Sequence, residues 1–262
     1  MTLKTGFTAL GALFPMAGVV ATYFALGARW NVLGITTGVV AGLVVLSYIV
    51  AAVSAATDFG EFMRGWLIGL NAALNAVLVF GIVSSFAGKP AGSVLGLVTG
   101  ILNLLCVIAP VSQNGFFQGV IGWLNWFMPM SWLIVAIGFL FSLFSVLLYA
   151  VTAGKVEYLR VQSLGADWAT GTFFIRGGLI ANLNPLDTAF NMGNFAFVDY
   201  KSEEWHKEHE AGHTLNLAAF GCVFHLIGAL DENLFRQGNA YSERLAESNS
   251  SGATGSNIPM WS

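Results

Sequence analysis

Residues 32–56 read VLGITTGVVAGLVVLSYIVAAVSAA, without a single charged side chain. At a rise of 1.5 Å per residue, about 20 apolar residues in a helix cross the roughly 30 Å hydrocarbon core of a bilayer. Four more stretches of this length and character lie at 8–27, 65–87, 92–111 and 130–153. The sequence therefore predicts a mainly α, multi-pass membrane protein with about five transmembrane helices.

The composition of the whole chain supports the membrane class. Of the 262 residues, 56% are apolar and 10% are charged, whereas soluble chains carry about 25% charged residues. A soluble domain with this composition would expose large apolar patches. The net charge of −3 argues against a nucleic-acid partner, which would require a basic patch. The only two cysteines, Cys106 and Cys222, exclude a disulfide framework or a thiolate zinc cluster.

Charged residues are concentrated in the last part of the chain. Residues 1–154 hold six of the 25 charged residues, and all four histidines come later. We therefore expect a transmembrane helical body at 1–154, a small β-rich region at 155–201, metallopeptidase-like helices at 202–249 and a flexible tail at 250–262.

The β-rich region is predicted from short alternating or aromatic runs separated by turn-forming residues. Val156–Gln162, Thr170–Ile175 and Phe195–Tyr200 have this character. We expect three or four strands, which form either a scaffold for the following helix or an edge that pairs with an extended peptide.

Two segments next to the predicted spans have a polar or amphipathic character. Residues 58–64 carry three charges and are predicted as a junction between spans. Residues 119–128 contain Trp123 and Trp126, and tryptophan favours the headgroup level of a bilayer. We therefore expect an interfacial or re-entrant segment at 119–128.

Three asparagines lie inside the predicted spans. Asn71 and Asn75 are one helical turn apart in the third span, and Asn103 lies in the fourth. Asparagine at such positions is typical of hydrogen bonds between helices. An ion or proton path usually needs a charged residue in mid-span. None of the predicted spans carries one, so the sequence disfavours a pump or a coupled transporter.

The strongest chemical signal is the H-E-x-x-H motif at residues 209–213. Two histidines four residues apart project from one face of a helix and can bind a single zinc ion. The glutamate between them can remove a proton from a water molecule that the zinc polarises. We therefore predict His209 and His213 as metal ligands, Glu210 as the catalytic general base and zinc as the cofactor.

Such a site needs a third protein ligand. The metzincin pattern is excluded, because Asn216 and Ala219 stand where it requires glycine and histidine. His206, three residues before the motif on the same helix face, is a third candidate, but three ligands from one straight helix would strain a tetrahedral geometry, so we expect it only as an accessory residue. The remaining candidates are His225, Glu232 and Glu243.

The apolar run 214–230 helps to choose between the two glutamates. If this run continues the motif helix, Glu232 lies about 28 Å from His213, whereas the next segment is long enough to bring Glu243 back. A helix break near Gly221 would bring Glu232 within reach instead. A straight helix would favour Glu243 and a broken one Glu232, and the resemblance described next leads us to favour Glu243 and keep Glu232 as the alternative.

The segment Glu243-x-x-Ala246-Glu247 resembles the E-x-x-A-D segment of the membrane-associated gluzincin peptidases, the Ste24/HtpX-like family. The resemblance covers about 45 residues, 205–249, and leaves out the predicted spans. It implies that Glu243 is the third zinc ligand and that Glu247, in place of the usual aspartate, orients a zinc-binding histidine by a hydrogen bond. The run HEAGHTL at 209–215 is also similar to a motif of uncharacterised bacterial polytopic membrane proteins, which implies the inner (cytoplasmic) membrane.

Together these patterns favour an integral membrane zinc metallopeptidase that hydrolyses peptide bonds at or near the membrane surface. Its expected partners are the lipid bilayer and a peptide or membrane-protein substrate. The alternative is a non-catalytic subunit that retains a metal site among other membrane subunits. Glu210 favours catalysis, because a structural metal site has no need of a carboxylate between its histidines.

Overall fold

The computed structural model describes residues 3–107, 115–183, 189–200 and 205–249. The tail predicted at 250–262 lies outside the described residues. Five helices are long and apolar enough to cross a membrane, which is compatible with a multi-pass membrane protein. By length and composition they are Leu3–Ala25, Trp30–Ser54, Asp58–Val107, Pro129–Val151 and Lys207–Arg236, of which the third and the fifth are interrupted by non-helical backbone at Gly88 and Gly221. The prediction of a mainly helical chain with a small sheet ahead of its C-terminal helix is confirmed.

The helices follow the apolar pattern of the sequence. They are α1 (Leu3–Ala25), α2 (Trp30–Ser54), α3 (Asp58–Leu104), α4 (Gly115–Leu124), α5 (Pro129–Thr152), α6 (Leu179–Leu183), α7 (Trp205–Asp231) and α8 (Tyr241–Asn249). A π-helical turn, Glu232–Arg236, and a 3₁₀ turn, Gln237–Asn239, connect α7 to α8. The segment predicted as interfacial or re-entrant, 119–128, corresponds to the end of α4 and the turn before α5.

Helix α3 is a hairpin of two helical arms. At Gly88 the backbone has φ 83° and ψ 161°, a region of positive φ that glycine adopts without steric cost. The arms 58–87 and 89–104 then pack against each other, and a Cβ atom at Gly96 would lie 2.7 Å from the carbonyl oxygen of Ala76. The third and fourth predicted spans are therefore the two arms of one element.

The prediction of a junction at 58–64 is wrong, because these residues form the first turns of α3. The side-chain oxygen of Thr57 accepts a hydrogen bond from the Gly60 N–H at 3.1 Å, which caps the helix at this point. Glu61 and Arg64 then form a buried ion pair on α3. The charges satisfy each other inside the helical body and do not mark a loop.

The four strands form one small sheet. They are β1 (Val161–Asp167), β2 (Thr172–Gly177), β3 (Ala189–Met192) and β4 (Phe195–Val198). The order is β1-β2-β4-β3, with β2 and β4 parallel and the other pairs antiparallel. The number of strands is as predicted. The strand predicted at 156–162 is wrong in position, because Glu157–Leu159 is a 3₁₀ turn and β1 begins at Val161.

An aromatic face of the sheet packs on the middle of α5. Phe139 and Phe141 meet Phe195 and Phe197 edge-on, with ring centroids 6.1 and 6.3 Å apart. A Cβ atom at Gly138 would lie 2.2 Å from a backbone oxygen of β3, so this glycine allows close approach of helix and strand. The contact places β3, at one edge of the sheet, beside α7.

Helix α7 reverses its direction at Gly221, where φ is 77° and ψ is 178°. A straight helix would place His213 and His225 about 18 Å apart along its axis, but their ring centroids are 6.3 Å apart. The prediction that the apolar run continues as one helix is therefore wrong. The two arms of α7, 205–220 and 222–231, turn back on each other.

The three buried asparagines stabilise the end of the first arm of α7. Asn71 donates to the carbonyl oxygens of Ala218 and Ala219 at 3.2 and 3.1 Å, and Asn103 donates to Ala218 at 3.0 Å. Asn103 Oδ1 accepts from Asn71 and Asn75 at 3.0 and 2.9 Å. Carbonyl groups at a helix end lack partners within the helix, and these amides supply them. The prediction that the asparagines bridge helices is confirmed.

One buried apolar cluster joins the first and last parts of the chain. It includes Tyr48 of α2 and Leu74 of α3 together with Phe220, Tyr241 and Leu245 of α7 and α8. The C-terminal helices are therefore packed into the helical body, and this packing positions the site described next.

Candidate metal centre

His209, His213 and Glu243 bring three ligand atoms together. The Nε2 atom of His209 lies 3.0 Å from Oε2 of Glu243, and the Nε2 atom of His213 lies 3.2 Å from the same oxygen. The two nitrogens are 3.1 Å apart. The three atoms form a nearly equilateral triangle, and this group could bind a metal ion.

The size of the triangle fits a four-coordinate ion. In a tetrahedral site with bonds of about 2.0–2.1 Å, neighbouring ligand atoms are about 3.3 Å apart. The three observed separations are slightly shorter than this value, by about 0.1–0.3 Å. Two imidazole nitrogens and one carboxylate oxygen are also a ligand set of catalytic zinc sites, in which a fourth position stays open.

Local sequence explains why the three side chains meet. His209 and His213 are one turn apart on the first arm of α7, so both project from one face. Between them, Gly212 carries no side chain, and a Cβ atom there would lie 2.3 Å from the carbonyl oxygen of Ala246. This close approach lets α8 lie against the motif helix, and Glu243 in its first turn then faces both histidines.

Glu243 is 5% exposed. Burial opposes its ionisation, but the adjacent imidazoles of His213 and His209 outweigh this cost and hold the pKa of Glu243 below its ordinary range. The hydroxyl of Ser242 donates to the second carboxylate oxygen, Oε1, at 3.4 Å. The oxygen Oε2 is thereby left to face the two histidines.

Glu210 borders the same cavity as the three candidate ligands, and the cavity has a volume of about 580 Å³. Its backbone is fixed from the sheet, because the Asn191 side chain donates to the Glu210 carbonyl oxygen at 2.9 Å. The same amide donates to the hydroxyl of Thr214 at 3.2 Å. Strand β3 therefore fixes the position of the motif helix beside the cavity.

The walls of the cavity combine acidic and apolar residues. Besides the candidate ligands, carboxylates come from Glu210, Glu232 and Glu247, and no lysine or arginine lines the cavity among the described residues. An apolar wall is formed by Phe141, Ile180, Leu183, Phe190, Phe224 and Leu226. The cavity beside the candidate ligands thus has an acidic part and an apolar part.

The alternative ligand Glu232 lies at the cavity but outside the group of three. It is not carried 28 Å away as a straight helix would require, because α7 turns back at Gly221. Glu243 nevertheless supplies the converging oxygen, because the approach of α8 places it there.

Glu247 and His206 were also predicted as site residues. Glu247 lines the cavity one turn after Glu243, and burial raises its pKa. Its hydrogen bond to a metal-binding histidine stays a prediction. The side chain of His206 lies outside the described residues.

Sequence reasoning missed Asn191 as a residue of this site and considered His225 only as a third metal ligand, whereas the converging group consists of His209, His213 and Glu243. His225 borders the cavity, and its Nε2 atom is 3.1 Å from the carbonyl oxygen of Asn191. The only sequence signal for this position of His225 is Gly221, a residue that allows the chain to reverse between the two histidine-bearing arms. Asn191 lies in a strand that the sequence did not single out.

Comparison of the chain with protein-family models, with curated proteins and with solved structures finds no match. The resemblance to gluzincin peptidases is therefore carried by the motif residues alone. The chemical interpretation of the site rests on its own geometry: three converging ligand atoms, an adjacent glutamate and a cavity beside them.

Proposed function

We propose that this protein is an integral membrane zinc metallopeptidase of the gluzincin type, which hydrolyses peptide bonds at or near the membrane surface. The convergence of His209, His213 and Glu243 beside a cavity carries the proposal. Structural zinc sites are closed by four protein ligands, whereas catalytic sites use three and keep one position open. Three converging side chains at a cavity match the catalytic pattern.

Each residue of the motif would have a separate role. His209, His213 and Glu243 would hold the ion, and zinc in this position supplies a Lewis acid for a water molecule and for the substrate carbonyl. Glu210, which borders the cavity, would accept a proton from the attacking water and deliver it to the leaving amine. The convergence of the Glu243 oxygen with both imidazole nitrogens supports this assignment, and all three ligands would bind the metal in their deprotonated forms.

The substrate that the cavity supports best is an extended, largely apolar peptide or membrane-protein segment. Strand β3 is an edge strand. Its residues Phe190, Asn191 and Met192 border the cavity. An edge strand beside a cavity can bind an extended chain by main-chain hydrogen bonds. The apolar wall opposite would accept apolar side chains of that chain.

The proposed location at a membrane has support from α5. Phe141 of this membrane-length helix forms part of the cavity wall. A peptide bond at the metal ligands would thus be cleaved beside a helix that is long enough to span the bilayer. The similarity of the HEAGHTL run to bacterial polytopic proteins supports the inner membrane.

The substitution Glu210→Gln tests the proposed chemistry. It keeps the shape of the side chain and removes the base, so about one zinc ion per chain should be retained. Hydrolysis of a peptide that the parent cleaves should fall by about 10²–10⁴-fold. Glu208→Gln is the matched control, since Glu208 lies on the same helix and is exposed. Its zinc content and activity should equal those of the parent.

Two results would overturn the proposal at different levels. Stoichiometric zinc that survives the double change His209→Ala, His213→Ala would refute the metal site. If zinc binds but the parent cleaves no peptide or membrane-protein substrate, or Glu210→Gln is as active as the parent, the chain is a non-catalytic subunit with a metal site.

A further inference from the structure

The carboxylate of Glu243 comes from a short helix that has to be held precisely. Metal-binding side chains must stay within about 0.5 Å of their working geometry, which requires support from residues behind them. Contacts of α8 with Gly212 and Gly228 set its distance from the two arms of α7. They do not define where the first turn of α8 begins, and a separate set of hydrogen bonds does so.

The hydroxyl of Tyr48 on α2 connects three segments at this point. It donates to Oδ2 of Asp231, at the end of α7, at 2.8 Å and accepts from the N–H of Ser242 at 3.3 Å. The same Asp231 oxygen accepts from the N–H of Tyr241 at 3.4 Å. The first N–H groups of a helix have no partner within it. In α8 these two groups bind Tyr48 and Asp231.

Ser242 transmits this anchoring to the candidate ligand. Its carbonyl oxygen accepts from the side chain of Asn216 at 3.1 Å, and its hydroxyl donates to Glu243 Oε1 at 3.4 Å. The backbone N–H and C=O of Ser242 are thus both fixed by other helices. The next residue is the one whose second oxygen faces His209 and His213.

The packing of the Tyr48 ring is separable from the role of its hydroxyl. The ring meets Phe224 and Tyr241 edge-on, with centroids 5.1 and 5.6 Å away, and Tyr48 is 2% exposed. Phenylalanine at this position would keep these ring contacts and remove only the two hydrogen bonds.

We propose that Tyr48, acting through Asp231 and Ser242, is a positioning residue of the metal centre. Its hydroxyl fixes the start of α8 and thereby the distance of Glu243 Oε2 from the two histidine nitrogens. The inference rests on the proposed metal site. It makes α2, a helix of the apolar body, part of the support for a ligand in the C-terminal part of the chain.

The test uses the full-length protein in detergent and compares Tyr48→Phe with the parent. Zinc affinity is measured by competition with a chromophoric chelator, and the Tm is measured without metal. Tyr48→Phe should weaken zinc binding by about 10–100-fold, as expected for residues that support a metal ligand. Tyr23→Phe is the matched control. Tyr23 is 1% exposed and packs on Phe24 and Phe80, away from α8, so its zinc affinity should equal that of the parent.

Cobalt provides a readout that loss of stability alone would not change. The visible absorption of the Co²⁺-loaded protein reports the ligand geometry, and it should shift in Tyr48→Phe and stay constant in Tyr23→Phe. A lower Tm with unchanged zinc affinity and an unchanged cobalt spectrum would overturn the inference. If Tyr48→Phe does not fold, Asp231→Asn replaces it, and zinc affinity equal to that of the parent would again refute the inference.

The outcome also separates this inference from the proposed function. If the parent binds no zinc, both fail together. If the parent binds zinc, His209→Ala loses it and Tyr48→Phe binds as tightly as the parent, only the positioning role is refuted.

Discussion

Replacing Asn71 by leucine tests whether buried amides hold the reversal of α7 in place. The two N–H groups of Asn71 are shared among oxygens of Asn103, Ala218 and Ala219, and its Oδ1 accepts from Asn75 at 3.3 Å. Leucine has a similar length but neither donates nor accepts. Ala218 and Asn75 keep hydrogen bonds to Asn103. The carbonyl of Ala219 is therefore the group that loses its side-chain hydrogen-bond donor.

The expected magnitude follows from these contacts. Side-chain hydrogen bonds inside membrane proteins contribute about 0.6 kcal/mol each on average, so the three or four bonds of Asn71 correspond to about 2 kcal/mol. A buried carbonyl that loses its donor costs about 1–3 kcal/mol. The two estimates describe overlapping contributions. We therefore expect Asn71→Leu to lower the free energy of unfolding by about 2–3 kcal/mol.

Unfolding by sodium dodecyl sulfate in mixed micelles, followed by the fluorescence of the eight tryptophans, measures this difference. Asn31→Leu is the control, because Asn31 is an exposed asparagine at the start of α2. It should remain within about 0.5 kcal/mol of the parent. If Asn71→Leu is as stable as Asn31→Leu, the amide cluster does not stabilise the reversal and the reasoning is refuted.

Three further substitutions probe the metal ligand and the two glycines that position it. Glu243→Gln should weaken zinc binding in chelator competition at least about tenfold more than Glu232→Gln, because only Glu243 converges with both histidines; equal losses would contradict this. Gly221→Ala should lower the free energy of unfolding by about 1–3 kcal/mol, since φ is +77° and the added Cβ would lie 2.3 Å from a buried amide oxygen. Gly212→Ala should weaken zinc binding on the order of tenfold, because its Cβ would collide with the backbone of α8 at 2.3 Å. Gly34→Ala, which adds a Cβ with nothing within 4 Å, is the control for both glycines and should match the parent.

Features that depend on local sequence were predictable. A helix of membrane length needs only an uninterrupted apolar run, so the spans predicted at 32–56 and 130–153 agree within two residues with α2 and α5. The two motif histidines share a face because helical periodicity requires it. These predictions needed no knowledge of the rest of the chain.

Features that depend on distant contacts were not predictable. A glycine inside an apolar helix is common, so a break near Gly221 was only an alternative at the level of sequence, and the amides that stabilise the reversal come from the distant α3. Glu243 was preferred over Glu232 on the resemblance of its segment to E-x-x-A-D and on the assumption of a straight α7, and that assumption is wrong. The residue that converges with the histidines is nevertheless Glu243, since the docking of α8 places it there.

The two interrupted helices depend on each other. The reversal at Gly88 brings Asn103 back beside Asn71, and both amides then bind the carbonyls at the end of the first arm of α7. Because α7 turns back at Gly221, Asp231 reaches both α2 and the first turn of α8. Both reversals therefore contribute to the packing that surrounds the carboxylate and the two imidazoles. The ligands lie in the polar C-terminal part of the sequence, but their geometry is determined by packing in the apolar body.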